Sequence, residues 1–212
     1  VSEEAFMQPL RKVISKLKLR ASYGQVGNAN LGGRRFAYLS TITDDYETLN
    51  MYKWGLDSSY GLTGMAEGEF AVQDLTWEIV NKMNLGVELG FLNGMIDLQL
   101  DYFDERRKDI FMPRESVPMT AGFMKQPWKN FGKVTNQGVE VSLNVNKQFG
   151  KDLFVSLMGT FTYAHNEITE KDEPSAVVGT NRAETGHPVG QLTGYIAEGL
   201  FTEDDFEDVS TG

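Results

Sequence analysis

The segment LGVELGFLNGMIDLQL, residues 85–100, decides the fold, because apolar residues occupy every second position on both sides of Asn93-Gly94. A period of two residues is typical of a β-strand whose two faces meet different surroundings. Asn-Gly is the preferred pair for a tight type I′ turn, in which both central residues take a positive φ. The segment therefore predicts a β-hairpin with one polar and one apolar face. The apolar face would carry Leu85, Val87, Leu89, Phe91, Ile96, Leu98 and Leu100.

The composition of the 212-residue chain is that of a folded protein, with 41% hydrophobic and 24% charged residues. The formal net charge of −10 argues against a nucleic-acid surface, because phosphate binding needs a basic patch. No apolar run reaches about 18 residues, so no transmembrane helix is predicted, although β-strands cross membranes without such a run. The absence of cysteine removes disulfides, cysteine nucleophiles and thiolate metal sites. Residues 1–13 lack signal-peptide features and the chain does not begin with Met, so we expect a fragment of a longer protein.

The rest of the chain alternates between strand patterns and polar excursions. Strands are predicted at residues 17–24, 82–92, 95–106, 139–146, 153–163 and 192–201, and a short helix at residues 2–14. The long excursions cover residues 25–79, 107–137 and 165–191, whereas the turns at 93–94 and 148–152 are short. The sequence therefore predicts an all-β, antiparallel up-and-down sheet, with long loops at one end and short turns at the other.

Two architectures fit this pattern. An outer-membrane β-barrel alternates lipid-facing apolar residues with lumen-facing polar ones. A soluble β-sandwich alternates core residues with solvent-facing ones, and would here be a soluble or surface-attached glycan-binding module. The periodicity does not separate the two, and the difference in loop length between the two ends favours the barrel.

Four segments resemble, in their order and spacing, the later barrel region of SusC/RagA-type TonB-dependent outer-membrane transporters. They are KLKLRASYGQVGN (16–28), LTWEIVNKMNLGVELGFLNGMIDLQLDYFDERRKDIF (75–111), NFGKVTNQGVEVSLN (130–144) and GHPVGQLTGYIAEGLF (186–201). The most distinctive features are Trp-Glu before a strand, Asp-Tyr-Phe followed by Asp-Ile-Phe, and the patterns N-x-G-x-x-x-N-x-G-x-E and G-Y-x-x-x-G-L-F. The family's signal sequence, plug domain, TonB box and closing strands match nothing here. The resemblance therefore assigns residues 1–212 to a partial barrel domain.

The resemblance implies a parent barrel of about 22 strands with a plugged lumen, which imports an oligosaccharide or a peptide. Energy would come from the TonB complex, and a SusD-like lipoprotein would form the lid. Such a protein lies in the outer membrane of a Gram-negative bacterium, with the apolar face of the hairpin against the lipid bilayer. Short turns would face the periplasm and long loops the outside. The residues that would face a wet lumen are Glu88, Asp97, Gln99, Asp101 and Glu140.

Aromatic residues in the long loops are the candidate substrate contacts, because flat rings stack on sugars and on peptide side chains. Trp54, Tyr60 and Trp128 are predicted to bind substrate, with interfacial anchoring as the alternative. Trp77 and Tyr102, at strand ends, better fit an interfacial girdle.

No metal site, cofactor or catalytic residue is predicted. His165 and His187 have no partner at metal-binding spacing, and the acidic cluster at residues 203–208 lacks the register of a calcium loop. No nucleotide-binding or serine-hydrolase motif is present, so the sequence does not predict an enzyme.

Overall fold

A computed structural model describes residues 4, 8–9, 13–43, 52–54, 60–62, 65–123, 125–197 and 199–200. In chain order the strands are β1 (Ile14–Asn28), β2 (Ile42–Thr43), β3 (Tyr52–Trp54), β4 (Tyr60–Leu62), β5 (Ala66–Glu67), β6 (Glu78–Phe91), β7 (Ile96–Pro113), β8 (Trp128–Phe149) and β9 (Leu153–Glu170). The five long strands form one antiparallel sheet in the order β1-β6-β7-β8-β9. Among the described residues the only helical element with both ends assigned is a 3-10 turn, Met119–Ala121.

The predicted hairpin is the centre of this sheet. Leu85 pairs with Tyr102 and Phe91 with Ile96 across β6 and β7. Leu92, Asn93 and Gly94 have φ values of 53°, 58° and 85°, so the turn occupies residues 92–95 and is longer than the predicted two-residue turn. The Gly94 N–H donates to the Phe91 carbonyl at 3.1 Å and the Met95 N–H to the Leu92 carbonyl at 3.3 Å. The β8–β9 connection is similarly short and contains Gly150 at a φ of 65°.

The strands are longer than the sequence pattern predicted. They span 15, 14, 18, 22 and 18 residues, so β7, β8 and β9 run well into the segments predicted as loops. The extensions carry scattered apolar residues without regular alternation, and cross-strand charge pairs lie there, such as Arg107–Glu78 at 3.1 Å and Lys133–Glu170. Because backbone pairing continues where apolar alternation stops, a hydrophobic period of two underestimates strand length.

Three long loops lie at the end of the sheet opposite the short turns: the first loop (residues 29–77), the second loop (114–127) and the third loop (171–197). The first loop holds two small antiparallel pairs, β2–β5 and β3–β4. All three loops join the same end of consecutive antiparallel strands, as predicted.

The prediction of a strand at residues 192–201 is wrong for the residues that the structure describes. Residues 192–197 and 199–200 pair with no neighbouring strand. A strand needs a neighbouring strand to share its backbone hydrogen bonds. Here the chain meets the outer edge of β9 earlier, where the Ile168 N–H donates to the His187 carbonyl at 2.9 Å and the Gly186 N–H to the Ile168 carbonyl at 2.8 Å. The helix predicted at residues 2–14 lies almost entirely outside the described residues, and Ile14 begins β1.

Across the described part of the chain, no helix is long and apolar enough to cross a membrane. The soluble sandwich alternative requires a second sheet over the apolar face. Among the described residues no such sheet is present, and Leu19, Leu157 and Phe161 on that face are 61%, 61% and 62% exposed.

Candidate functional site

The main sheet presents a continuous apolar face that crosses all five strands. Register places Leu19, Val87, Leu100, Val141 and Phe161 in one row. Rows on either side are Ala21, Leu85, Tyr102, Val139, Tyr163 and Leu17, Leu89, Leu98, Leu143, Gly159. All seven residues predicted to face lipid lie on this face. A surface of this extent exceeds the scattered apolar residues that a soluble monomer exposes.

Aromatic residues border the apolar face at both ends. Tyr23, Tyr102 and Tyr163 lie toward the loops, and Phe91 and Phe149 lie toward the short turns. On β9 the apolar face extends from residue 153 to residue 163, which is about 33 Å along the strand and about 25 Å perpendicular to a bilayer at the usual barrel tilt. The dimension and the aromatic borders both match a membrane-spanning β-strand.

The opposite face carries a ladder of charges. Glu88 on β6 accepts ion pairs from Lys16 at 2.8 Å and Lys18 at 3.2 Å on β1. Arg20 donates from Nη2 to both carboxylate oxygens of Asp101, at 2.8 and 2.9 Å, and Gln99 donates to Asp101 Oδ2 at 2.8 Å. Arg20 Nε lies 3.1 Å from Glu88 Oε1 at an angle unsuited to a hydrogen bond, so that contact is ionic only. Glu88, Gln99 and Asp101, three of the five residues predicted to face the lumen, are therefore part of one cross-strand network.

Gly86 makes this network possible. It lies between Arg20 and Asp101 in the same row, and a Cβ there would lie 2.4 Å from Asp101 Oδ1. The arginine and the carboxylate therefore meet across a strand only because the residue between them has no side chain. Sequence reasoning missed this ion pair, although an isolated glycine inside a strand is a signal of close approach.

The second loop is tied to the first around Trp128. The Arg34 guanidinium lies 4.2 Å from the centre of the Trp128 ring, and the Phe111 ring lies 5.1 Å from it. Arg34 also pairs with Glu69 at 3.1 Å, and Lys125 of the second loop reaches the same carboxylate at 3.3 Å. Trp128 is thus half-buried, and the Arg34 and Phe111 side chains cover part of its ring surface.

The second loop is also tied to the third, through a buried carboxylate. Asp172 is 7% exposed, and its Oδ2 accepts hydrogen bonds from Arg114 Nε at 2.8 Å and from Ser116 N and Oγ at 3.2 and 2.9 Å. Burial favours a higher pKa for Asp172, but the bonds from Arg114 and Ser116 outweigh it and hold the pKa below its usual value. The three long loops therefore form one connected unit at their end of the sheet.

The described part of the structure shows no cluster formed by the three aromatic residues predicted to bind substrate. Trp54 ends β3 and Tyr60 begins β4, where they pair across a short hairpin. The orientation of these two side chains lies outside the described part of the structure. Trp128 lies at the start of β8, so all three belong to the loop end, and their role in binding stays a prediction.

Candidate metal ligands are sparse in the described residues. No group of three or more His, Cys, Asp or Glu side chains there is arranged to hold a metal ion. His165 lies on β9, and His187 lies in the third loop, where its carbonyl accepts the Ile168 N–H. The acidic cluster at residues 203–208 lies outside the described residues.

Residues 10–202 match the family model described as "TonB dependent receptor-like, beta-barrel". The chain belongs to this family. The resemblance to SusC/RagA-type transporters is thereby confirmed, as is the all-β barrel fold class. Members of the TonB-dependent receptor family are receptors and transporters of the Gram-negative outer membrane, not enzymes, which confirms the sequence prediction that the chain is not an enzyme.

Individual relatives agree with the family assignment. The chain is 33% identical over 173 residues to TonB-dependent receptor SusC of Bacteroides thetaiotaomicron, a match that covers 80% of this chain and 16% of the relative. It is 29% identical over 206 residues to TonB-dependent receptor P39 of Formosa agariphila, covering 97% of this chain and 18% of the relative. The open-open structure of the RagAB peptide importer superimposes with a TM-score of 0.59 at 25% identity, covering 80% of this chain and 16% of that one. The chain therefore spans about a sixth of the length of these TonB-dependent receptors.

Several residues that carry the resemblance make specific structural contacts. Asn130 accepts from the Thr76 N–H at 3.0 Å and donates to the carbonyls of Thr76 and Asp109 at 2.9 and 2.8 Å, which fixes the end of the first loop to β7 and β8. Phe103 of Asp-Tyr-Phe lies opposite Gly138, where a Cβ would come within 2.6 Å of the ring. The TonB-dependent receptor motifs thus mark loop anchoring and close packing across strands in this part of the barrel.

Proposed function

We propose that residues 1–212 form part of the barrel domain of an active transporter in the outer membrane of a Gram-negative bacterium. The parent imports an oligosaccharide or a peptide, takes its energy from the TonB complex and works with a SusD-like lipoprotein as a lid. Family membership supports the barrel and the membrane, and the similarity to the RagAB peptide importer supports a peptide or comparable oligomer as the substrate.

The observation that carries this proposal is the exposed apolar face with its aromatic borders. Leu85 and Tyr23 on it are 46% and 77% exposed, a poor arrangement in water and a favourable one in a bilayer. Backbone groups in the band are paired along the strand ladders, as hydrocarbon requires. In the parent, lipid covers this face, and the flanking barrel strands pair with the outer edges of β1 and β9.

The polar face supports the same proposal. This face carries an ion-pair network suited to the wall of a wet lumen, formed by Lys16, Arg20, Glu88 and Asp101. The short turns then lie in the periplasm, and the connected loops form the outer mouth, where substrate and a lid arrive. Trp54, Tyr60 and Trp128 lie at that mouth and are proposed to contact substrate.

Cell fractionation of the full-length protein that contains this sequence tests the proposal. We expect it in the outer membrane, with a heat-modifiable gel mobility typical of a folded barrel and with a lipoprotein that copurifies through an affinity tag. Uptake of labelled oligosaccharides or peptides by these cells should stop when TonB is deleted. Recovery as a soluble periplasmic protein, or uptake that continues without TonB, would contradict the proposal.

A further inference from the structure

The polar face of the sheet contains a cavity of about 690 Å³ at its loop end, between the strands and the third loop. The sheet provides its floor from β6, β7, β8 and β9, and Lys171, Glu184 and Val189 of the third loop line its side. Cavities of about 300–1,000 Å³ are the usual size for small-ligand sites. The cavity is therefore large enough for part of a substrate.

Its floor is apolar, unlike the rest of this face. Val80 and Ile168 are only 6% and 7% exposed, and Val134 lies between them in the same row with Arg107. Ile110 and Met112, which follow the irregular pairing of β7 with β8, add further aliphatic surface. Among the described residues that line the cavity there is no aromatic ring.

Charges of both signs surround this floor. Lys133 pairs with Glu170, Lys171 pairs with Glu184 at 2.6 Å, and Arg107 pairs with Glu78 at 3.1 Å. Each pair is at least partly exposed, and exposed pairs exchange partners at little cost. The rim can therefore receive a cation and an anion from one ligand at the same time.

The third loop is held in place over the cavity from two sides. The hydrogen bonds at Ile168 fix residues 186–187 to the edge of β9, and Asp172 fixes the start of the loop to Arg114. Val189 N–H also donates to Asn166 Oδ1 at 2.7 Å, beside the floor. A wall fixed at three points presents a preformed shape to a ligand.

We propose that this cavity binds an aliphatic side chain of a peptide, with the peptide's charged groups at the rim. The inference rests on the proposed function and selects peptide over oligosaccharide as the substrate class at this subsite. A sugar would gain from aromatic platforms, which the described lining lacks, and it would leave the apolar surface of Val80, Val134 and Ile168 without a matching group. Asn136 and Asn166 of the lining can hydrogen-bond either ligand. A fatty acid would need only cations at the rim, whereas a zwitterionic peptide matches both signs.

Isothermal titration of the detergent-solubilised full-length protein with trileucine, triserine and maltotriose tests this assignment. We expect trileucine to bind about tenfold or more tightly than triserine, since a filled apolar pocket discriminates by that order. Ala164 lines the cavity, and Ala164→Trp should weaken trileucine binding about tenfold by filling it. Thr162→Trp, on the same strand and face but outside the cavity, should leave trileucine affinity within about twofold.

A second pair of variants avoids the sheet. Val189→Glu places a charge at the cavity wall, and Val178→Glu places the same charge elsewhere in the third loop, where Val178 is 62% exposed. Only the first should weaken trileucine binding. Equal effects within either pair, or maltotriose binding that is lost in Ala164→Trp, would overturn the peptide assignment. TonB-dependent uptake of maltotriose without trileucine binding would also overturn it, while the proposed transport function would stand.

Discussion

Replacing Gly86 by alanine should break the ion pair that joins β1 to β7. The new Cβ would lie 2.4 Å from Asp101 Oδ1, so the carboxylate must move by about 1 Å to restore normal contact. That movement disrupts the two bonds from Arg20 Nη2, at 2.8 and 2.9 Å. Each hydrogen bond to a charged group is worth about 1.5–3 kcal/mol, and we discount the sum because Arg20 is 36% exposed. We therefore expect the free energy of unfolding to fall by about 2 kcal/mol.

Gly24 provides a matched control for this substitution. It lies in β1 on the same polar face, opposite Lys82, and a Cβ there would meet nothing within 4 Å. Gly24→Ala should be neutral or stabilise by up to about 1 kcal/mol, because glycine costs conformational entropy inside a strand. Denaturant unfolding of the full-length protein in detergent measures both variants. If Gly86→Ala and Gly24→Ala shift the midpoint equally, or if Asp101→Ala costs as much in the Gly86→Ala background as alone, the argument is refuted.

Other predictions concern the apolar face, the loop contacts and pH. Leu143→Arg in the middle of the apolar face should lower the free energy of unfolding in lipid vesicles by about 2–4 kcal/mol. Ser142→Arg on the polar face should lower it much less, and equal folding yields of the two variants would contradict the assignment of the apolar face to lipid. Because the pKa of Asp172 is lowered in the folded protein, its bonds stabilise the loops fully above its unfolded value near 4 and are lost as the pH falls through the lowered pKa. Pepsin should therefore cut the third loop faster at pH 2 than at pH 4 after correction for enzyme activity. Asp172→Asn should reduce this difference without removing it, because bonds from Glu184 and Thr185 outweigh partial burial and hold the pKa of Glu173 below its usual value as well. Arg34→Ala should weaken the contact between the first loop and the start of β8 by about 1 kcal/mol and raise hydrogen exchange at residues 31–43, whereas Arg35→Ala should not. Identical exchange in both variants would show that the Arg34 contacts do not hold this part of the loop.

The sequence predicted the central part of the sheet well, since two local signals agreed there. Alternation between residues 85 and 100 defined both faces, and Asn93-Gly94 defined the turn. The strand ends were not predictable from the same signal, because the extensions mix charged residues with scattered apolar ones and the alternation disappears. The third loop shows a related limit: residues 192–197 carry an apolar pattern, yet strand formation depends on a free neighbouring edge that no local pattern reveals.

The sequence predicted which residues lie on the polar face, but not which of them contact one another. Arg20 and Asp101 are 81 positions apart in sequence, so their ion pair depends on the register of two intervening strand pairings. The bonds that join Asp172 to Arg114 across 58 positions depend on two loops meeting beyond the sheet. Local periodicity carries no information on contacts between residues so far apart in the sequence. Glycines inside strands, such as Gly86 and Gly138, are the signal that a reader of the sequence can use to find close contacts across strands.

Cysteine accessibility along β7 tests directly whether the apolar face lies against lipid, since the chain contains no cysteine of its own. Leu98→Cys, Gln99→Cys and Leu100→Cys would each be introduced into a cysteine-free full-length protein in lipid vesicles and treated with a membrane-impermeant maleimide. We expect rapid labelling at Gln99→Cys only, with Leu98→Cys and Leu100→Cys reacting solely with a lipid-soluble reagent. Equal labelling of all three positions by the impermeant reagent would show that the apolar face does not lie against lipid.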